Sequence, residues 1–143
     1  CNLSFAGLKT AVLKISKTIK TKKEKFDLAA SFQKTIEEIL YVKTKIAFKE
    51  FKKTNKKGNK FVVAGGVAAN KKIRKVLEKL CYEEQFESIF PPLNLCGDNA
   101  AMIAMVGLEK FKKKEFNKLN YPANPRWVLD KNAVFLKGAG VKL

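Results

Sequence analysis

The stretch Phe61-Val62-Val63-Ala64-Gly65-Gly66-Val67-Ala68-Ala69-Asn70 decides the fold that this sequence predicts. An unbroken apolar run at residues 61–64 is typical of a buried parallel strand, and the two glycines then end that strand. Apolar residues recur at helical spacing from residue 69 to residue 80, so we expect a helix to begin directly after the glycines. A strand, a glycine turn and a helix in this order predict an α/β fold.

The same turn is a candidate ligand site. Gly65 and Gly66 let a ligand approach the backbone without a Cβ atom in the way, and the following helix would point its free N–H groups at the same place. Asn70 is expected in the first turn of that helix, where its amide can donate to and accept from a nucleoside. The pattern is neither a P-loop nor a GxGxxG fingerprint, and in isolation a purely structural turn is its simpler interpretation.

Helices and strands are expected on both sides of this turn. Residues 3–5 predict a strand end and residues 8–19 a first helix, whereas the charged stretches 20–25 and 52–57 predict loops. Asp27 is the expected N-cap of a long helix that ends by Thr54. Residues 86–90 predict a second strand, which Pro91 stops. The long helix should bury one apolar stripe, made of Leu28, Phe32, Ile36, Ile39, Leu40, Ile46 and Phe51.

Asp98 is the second candidate for chemistry. It follows the diproline Pro91-Pro92, and we expect Asp98 or Asn99 to open a helix that reaches about Lys113. In the structural interpretation Asp98 is simply that N-cap. In the functional one its carboxylate binds a metal ion. One carboxylate does not hold a transition metal, so the other ligands would come from elsewhere.

Charge and composition limit the function classes. The net charge is +17, from 30 basic and 13 acidic residues, which suits a phosphate-rich partner such as RNA. A lysine-rich surface without any such partner accounts for it as well, since Arg74 and Arg126 are the only arginines. The sequence has no histidine, which excludes a Ser-His-Asp triad, a Cys-His dyad and a His-ligated metal site made by this chain alone.

The cysteines and the hydropathy indicate the redox environment of the chain and its relation to membranes. The three cysteines form no CxxC pair and leave an odd number, which favours a reducing, cytoplasmic environment over a disulfide framework. The longest apolar runs, at residues 61–69 and 100–108, are too short for a membrane-spanning helix. The chain begins with Cys1 in the middle of a motif, and we therefore expect a fragment of a longer protein or a separately encoded half.

Five motifs, taken in order, resemble the C-terminal half of the TsaD family of tRNA threonylcarbamoyladenosine transferases. Where the family has FSFSGLKT, DIAxxFQ, AGGVAAN, CTDNAAMIA and RPRW, this chain has LSFAGLKT at residues 3–10, DLAASFQ at 27–33, AGGVAAN at 64–70, CGDNAAMIA at 96–104 and NPRW at 124–127. Ala6, Gly97 and Val128 depart from the family's serine, threonine and proline. Gly97 removes a hydroxyl that could orient the carboxylate of Asp98.

The resemblance implies a fold of two lobes, the actin-like ATPase fold of sugar kinases and actin, with a mixed sheet flanked by helices. Residues 1–130 would form the C-terminal lobe and residues 131–143 an unassigned tail. The N-terminal lobe would be absent, so the chain would be an incomplete enzyme.

The resemblance also implies an activity, the transfer of a threonylcarbamoyl group from threonylcarbamoyl-AMP to N6 of the adenosine 3′ of the anticodon, in tRNAs that read codons beginning with A. It places Gly65 and Gly66 along the nucleotide and Asn70 against the adenylate. Asp98 would be a ligand of one divalent metal ion, iron or zinc, shared with two histidines of the N-terminal half. The implied partners are tRNA, that missing lobe and TsaB- and TsaE-type proteins. No catalytic residue is assigned.

Two other functions stay open. A sugar-kinase-like phosphotransferase lobe would need a carboxylate base near a sugar hydroxyl, and none is evident in the sequence. A noncatalytic basic module that binds RNA or a protein partner would need only the charge.

Overall fold

The computed structural model describes residues 3–123, and their contacts form two units, one ending at Asn99 and the other beginning at Ala100. The described part of the first unit contains three α-helices, α1 (Ala6–Ser16), α2 (Lys22–Thr54) and α3 (Lys71–Glu83), and two strands, β1 (Lys60–Val62) and β2 (Glu87–Ile89). The second unit contains α4 (Ala100–Lys112). The α/β class is therefore confirmed, whereas a single lobe over residues 1–130 stays a prediction.

The start of α2 differs from the prediction. The Thr21 hydroxyl accepts a hydrogen bond from the Glu24 N–H at 3.2 Å, and the Glu24 carboxylate accepts one from the Thr21 N–H at 2.9 Å. This capping box satisfies two backbone donors at once, so residues 22–25 are helical and Asp27 lies inside the helix as an ordinary residue. Backbone hydrogen bonds from Lys20 and Thr21 hold the pKa of Glu24 below its usual value. The predicted end at Thr54 is confirmed.

The beginning of the chain is helical and not extended. The predicted strand end at residues 3–5 is wrong, because α1 begins at Ala6 and the Lys9 N–H already donates to the Phe5 carbonyl at 3.0 Å. Gly7 is tolerated within this first turn and does not break it. The helix ends at Ser16, before the predicted boundary at Ile19.

The two strands form a parallel pair. Lys60 pairs with Glu87 and Val62 with Ile89, and the Val63 N–H extends the pairing by donating to the Ile89 carbonyl at 3.0 Å. The parallel arrangement is confirmed, whereas the predicted mixed sheet is represented in the described residues by this pair alone. The predicted burial of β1 is wrong, since Val62 is 62% exposed. Among residues 3–123, no further strand pairs with the outer edge of either three-residue strand.

The core lies where α2 and α3 meet the strands. Phe48, Leu80, Cys81 and Phe86 form one buried cluster. The Phe48 ring stacks on Phe86 with centroids 3.8 Å apart and meets Phe61 edge-on at 4.9 Å. Burial raises the pKa of the Cys81 thiol.

The predicted apolar stripe of α2 is not buried as expected. Phe48, which lies outside the predicted stripe, is the buried residue of α2, whereas Phe32 and Ile46 are 40% and 42% exposed. The reason is length: α2 has 33 residues and α3 has 13, so α2 is about 50 Å long and α3 about 20 Å. One short helix covers only part of a long one.

The end of α3 delivers Phe86 to the core. The Phe86 N–H donates to the Cys81 carbonyl at 2.7 Å and the Gln85 N–H to the Tyr82 carbonyl at 3.4 Å, which is the Schellman pattern of a helix C-terminus. Gln85 has a φ of 59° and stands where glycine is usual in this motif. The chain then enters β2 directly.

The second unit matches the predicted last helix in its bounds, Ala100–Lys112. The motif at residues 124–127, its Trp127 and the tail at 131–143 lie outside the described residues. Among the residues that the structure describes, no helix is both long and apolar enough to cross a membrane.

Candidate nucleotide site at the carboxyl edge of the sheet

The parallel strands bring both candidate segments to one edge of the sheet. The segment at residues 65–70, which we call the glycine turn, follows β1, and the segment at residues 91–98, the aspartate loop, follows β2. Because Val62 pairs with Ile89, the carboxyl ends of the two strands lie side by side. Ligands of open α/β sheets bind at this edge.

The backbone conformation requires glycine at only one of the two glycine positions of the turn. Gly65 has φ 90° and ψ 173°, a backbone conformation that is essentially restricted to glycine. Gly66 has no such backbone requirement. A Cβ atom on either residue would meet no atom within 4 Å, so packing does not explain why Gly66 lacks a side chain.

We predicted that the helix begins directly after the glycines, and this is wrong. A 3₁₀ turn, Gly66–Ala69, intervenes and buries Ala68, and α3 begins only at Lys71. The Ala68 N–H donates to the Gly65 carbonyl at 2.9 Å and closes this turn. Backbone groups next to the glycines therefore form hydrogen bonds within the 3₁₀ turn. The N-terminus of α3 lies beyond this turn and not directly after the glycines.

Asn70 is the N-cap of α3 and not a residue of its first turn. Its Oδ1 accepts hydrogen bonds from the Lys72 N–H at 3.0 Å and the Ile73 N–H at 3.2 Å. Its Nδ2 donates to Gln33 Oε1 at 2.9 Å, and Gln33 Nε2 donates to Glu37 Oε1 at 2.8 Å. The Asn70 amide therefore caps one helix and ties it to α2, a connection that no local pattern predicted.

Arg74 joins the two candidate segments, and sequence reasoning missed it. Its Nε donates to the Ala68 carbonyl in the glycine turn, and its Nη2 donates to the Pro91 carbonyl at 2.8 Å and contacts Cys96 Sγ at 3.1 Å in the aspartate loop. The guanidinium also lies over the Phe90 ring, 4.8 Å from its centroid. Its rarity was the available signal, since 28 of the 30 basic residues are lysine.

Asp98 is an exposed residue on a shaped loop. The loop turns through a 3₁₀ segment, Leu93–Leu95, and Cys96 follows with 3% of its surface exposed. Beyond Asp98, the Asn99 Nδ2 donates to the Gly97 carbonyl at 3.0 Å. Within the described residues no group of three or more metal-ligating side chains comes together.

The two glycines offer a matched pair of substitutions. Gly65→Ala should lower the free energy of unfolding by about 1–3 kcal/mol, because alanine is strained at this φ and ψ. Gly66→Ala should stay within about 0.5 kcal/mol of the original stability, because its Cβ meets open space. If a nucleotide lies along the turn, Gly66→Ala should still weaken binding of AMP roughly tenfold, since overpacking costs about 1–3 kcal/mol.

Urea unfolding and equilibrium dialysis of AMP measure the two effects separately. Equal AMP affinity in the Gly66 variant and the unaltered protein would remove the ligand explanation for this glycine.

The fold and the site together define an α/β protein with a parallel β–α–β unit, whose glycine turn and carboxylate-bearing loop leave the same edge of the sheet. The family described as TsaD, tRNA N6-adenosine threonylcarbamoyltransferase, matches residues 1–105. The chain belongs to this family, which confirms the resemblance of its motifs.

Curated relatives agree with this assignment. The chain is 78% identical over 144 residues to the tRNA N6-adenosine threonylcarbamoyltransferase of Pelagibacter ubique (strain HTCC1062), with 100% of the chain and 40% of that protein covered. It is 43% identical to the protein of the same name from Ruegeria sp. (strain TM1040), with 99% of the chain and 40% of that protein covered. For Rickettsia conorii (strain ATCC VR-613 / Malish 7) the identity is 44%, over 91% of the chain and 39% of that protein. The chain thus spans about 40% of the length of these relatives.

Proposed function

We propose that this chain forms part of an enzyme that transfers a threonylcarbamoyl group from threonylcarbamoyl-AMP to N6 of the adenosine 3′ of the anticodon in tRNA. Family membership supports this function, as do the names of its relatives. The structural observation that carries the proposal is the glycine turn and the aspartate loop on one sheet edge, joined by Arg74. An actin-like ATPase lobe is the finer fold that we propose, and the parallel β–α–β unit is compatible with it.

In this proposal the adenylate lies along Gly65 and Gly66. Support comes from the open space beside both glycines, which no neighbouring atom fills within 4 Å of a Cβ position. Asn70 takes part through its amide nitrogen, because its oxygen already caps α3. That nitrogen carries two hydrogens. One is donated to Gln33, and we assign the other to the adenylate.

We propose Asp98 as one ligand of a divalent metal ion, iron or zinc, whose other ligands lie outside the described residues. An exposed carboxylate with local hydrogen bonds on both sides, from the Cys96 N–H to the Leu93 carbonyl and from the Asn99 amide to the Gly97 carbonyl, suits a ligand that completes its site with a second part of the enzyme. When bound, such an ion would polarise an oxygen of the substrate. Asp98 alone does not suffice to hold it.

The chain's own contribution to the reaction is orientation. The N6 amine attacks the carbamoyl carbon, a C–N bond forms, the bond from that carbon to the phosphate oxygen breaks, and AMP leaves as the amine loses a proton. Holding the adenylate on a rigid turn fixes the position of the breaking bond relative to the incoming base, which converts binding into rate. An unpaired anticodon-loop base is accessible to such an approach.

The proposed partner of the basic surface is the tRNA backbone. In the C-terminal part of α2, Lys45 pairs with Glu84 at 2.8 Å, and the positive charges of Lys49 and Lys52 act on the same carboxylate. The hydrogen bond from Lys45, followed by these charges, lowers the pKa of Glu84. Three lysines around one carboxylate leave a positive excess that can neutralise phosphates. The rest of the enzyme and TsaB- and TsaE-type proteins complete the proposed assembly, in the cytoplasm.

A chimera tests this function. In the Pelagibacter ubique relative, the segment that matches this chain is replaced by this chain, and the protein is expressed in cells depleted of their own enzyme. We expect the chimera to restore threonylcarbamoyladenosine in tRNA to about the level given by the unaltered relative, as measured by mass spectrometry of nucleosides. Retained tRNA binding without the modified nucleoside would favour the noncatalytic basic module, and ATP-dependent phosphorylation of a sugar would favour the kinase-like lobe.

A further inference from the structure

Arg74 bonds to both halves of the candidate site, the glycine turn and the aspartate loop. We propose that it is a positioning residue: its guanidinium fixes the aspartate loop against the glycine turn, so that a nucleotide bound at the turn also orders the loop that carries Asp98. This inference rests on the proposed function and adds to it a coupling between the two segments.

The geometry of the contacts requires an arginine. Nε and Nη2 of one planar group reach the Ala68 carbonyl on one side and the Pro91 carbonyl and Cys96 Sγ on the other. A lysine ammonium is a single point charge and does not span two segments with a rigid fork. The Phe90 ring beneath the guanidinium, 4.8 Å away, limits its tilt.

The aspartate loop depends on this connection. The Leu95 N–H donates to the Pro92 carbonyl at 2.9 Å and the Cys96 N–H to the Leu93 carbonyl at 3.3 Å, so these bonds shape the loop from within. They do not attach it to another element. Arg74 belongs to α3, the helix that follows the glycine turn. Its hydrogen bonds attach the aspartate loop to this helix.

Helix α3 also connects the glycine turn to Arg74. Asn70 caps α3 at one residue beyond the 3₁₀ turn, and Arg74 lies one helical turn further on. A ligand that presses on the glycine turn therefore acts on the Ala68 carbonyl, and through Arg74 on the loop. A displacement of about 1 Å between reacting groups can cost up to about a hundredfold in rate, so the position of the loop matters for transfer.

The test compares Arg74→Lys with Tyr41→Phe in the chimera. Tyr41→Phe is the matched control, because it also removes a polar connection between elements, the hydrogen bond that the Tyr41 hydroxyl of α2 donates to the Glu83 carboxylate at the far end of α3. Hydrogen exchange of the amides at residues 65–70 and 93–98 is measured with and without AMP, together with kcat and KM for transfer to tRNA.

We expect AMP to slow exchange in both the glycine turn and the aspartate loop of the unaltered chimera and of Tyr41→Phe. In Arg74→Lys, AMP should slow exchange in the turn alone, the loop should exchange faster even without AMP, and kcat should fall at least roughly tenfold with KM for tRNA unchanged. A merely structural role would change the unfolding midpoint without breaking the transmission from turn to loop.

Two results separate this inference from the proposed function. Equal loop exchange in Arg74→Lys and Tyr41→Phe, without AMP, would overturn the role of Arg74. If AMP protects neither segment of the unaltered chimera, the nucleotide site fails, and the comparison without AMP still decides about Arg74. Should Arg74→Lys fail to fold, Cys96→Ala removes one of the three contacts, and the same comparison applies with a smaller increase in loop exchange.

Discussion

Replacing Asp98 by alanine in the chimera is expected to abolish bound metal and to lower the rate of transfer by at least about a hundredfold, since even residues that only support a metal ligand cost 10–100-fold when removed. The fold should persist, because Asp98 is exposed and the loop around it is held by Arg74 and Cys96. Metal content is measured by mass spectrometry of the purified protein, and the rate by formation of the modified nucleoside.

Asp98→Asn separates the ligand from a helix cap. Asparagine caps a helix about as well as aspartate, but it lacks the negative charge that a metal ligand supplies. If Asp98 is a ligand, both substitutions lose metal. If it is a cap, Asp98→Asn behaves like the unaltered chimera and Asp98→Ala loses about 1 kcal/mol of stability with its metal retained. Asn94→Ala, an exposed position in the same loop, is the control for general disturbance.

The parts of the fold that the sequence predicted are those with local causes. The strand at β1, the helix after it and the strand at β2 follow from apolar spacing and from Pro91, and the structure confirms their order and parallel pairing. The predicted start of α2 at Asp27 was wrong, although the signal for the true start is also local. A complete capping box at Thr21 stabilises a helix start more than a lone aspartate does.

Burial and connection were less predictable, because they depend on distant elements. The stripe of α2 has helical spacing, but α3 is too short to cover it. In the candidate site, Gly65, Gly66, Asn70 and Asp98 stand out by residue type and place. The bonds of Arg74 reach residues 17 and 22 positions later in the chain, and the bond of Asn70 reaches a residue 37 positions earlier. No periodicity reports such pairings.

Phe48→Ala is expected to lower the free energy of unfolding by about 3–5 kcal/mol, the usual cost of deleting a buried aromatic ring. Phe48 is 3% exposed and belongs to a cluster with Leu80, Cys81 and Phe86, so removing its ring leaves a cavity among buried side chains. A domain of this size is stable by only about 5–15 kcal/mol. The substitution should therefore remove a large share of the total stability. Urea unfolding of this chain, followed by circular dichroism, gives the measurement.

Phe26→Ala is the matched control, because Phe26 also lies on α2 but is 60% exposed. Its ring centroid is 5.7 Å from the Lys22 ammonium nitrogen. It should cost less than about 1 kcal/mol. Equal losses at the two positions would mean that α2 is stabilised along its whole length and not by the aromatic cluster. A loss confined to Phe48 would place the attachment of α2 where its ring meets Phe61 and Phe86. Because Phe61 lies in β1 and Phe86 directly precedes β2, the same contact would then hold in place the two strands from which the glycine turn and the aspartate loop depart.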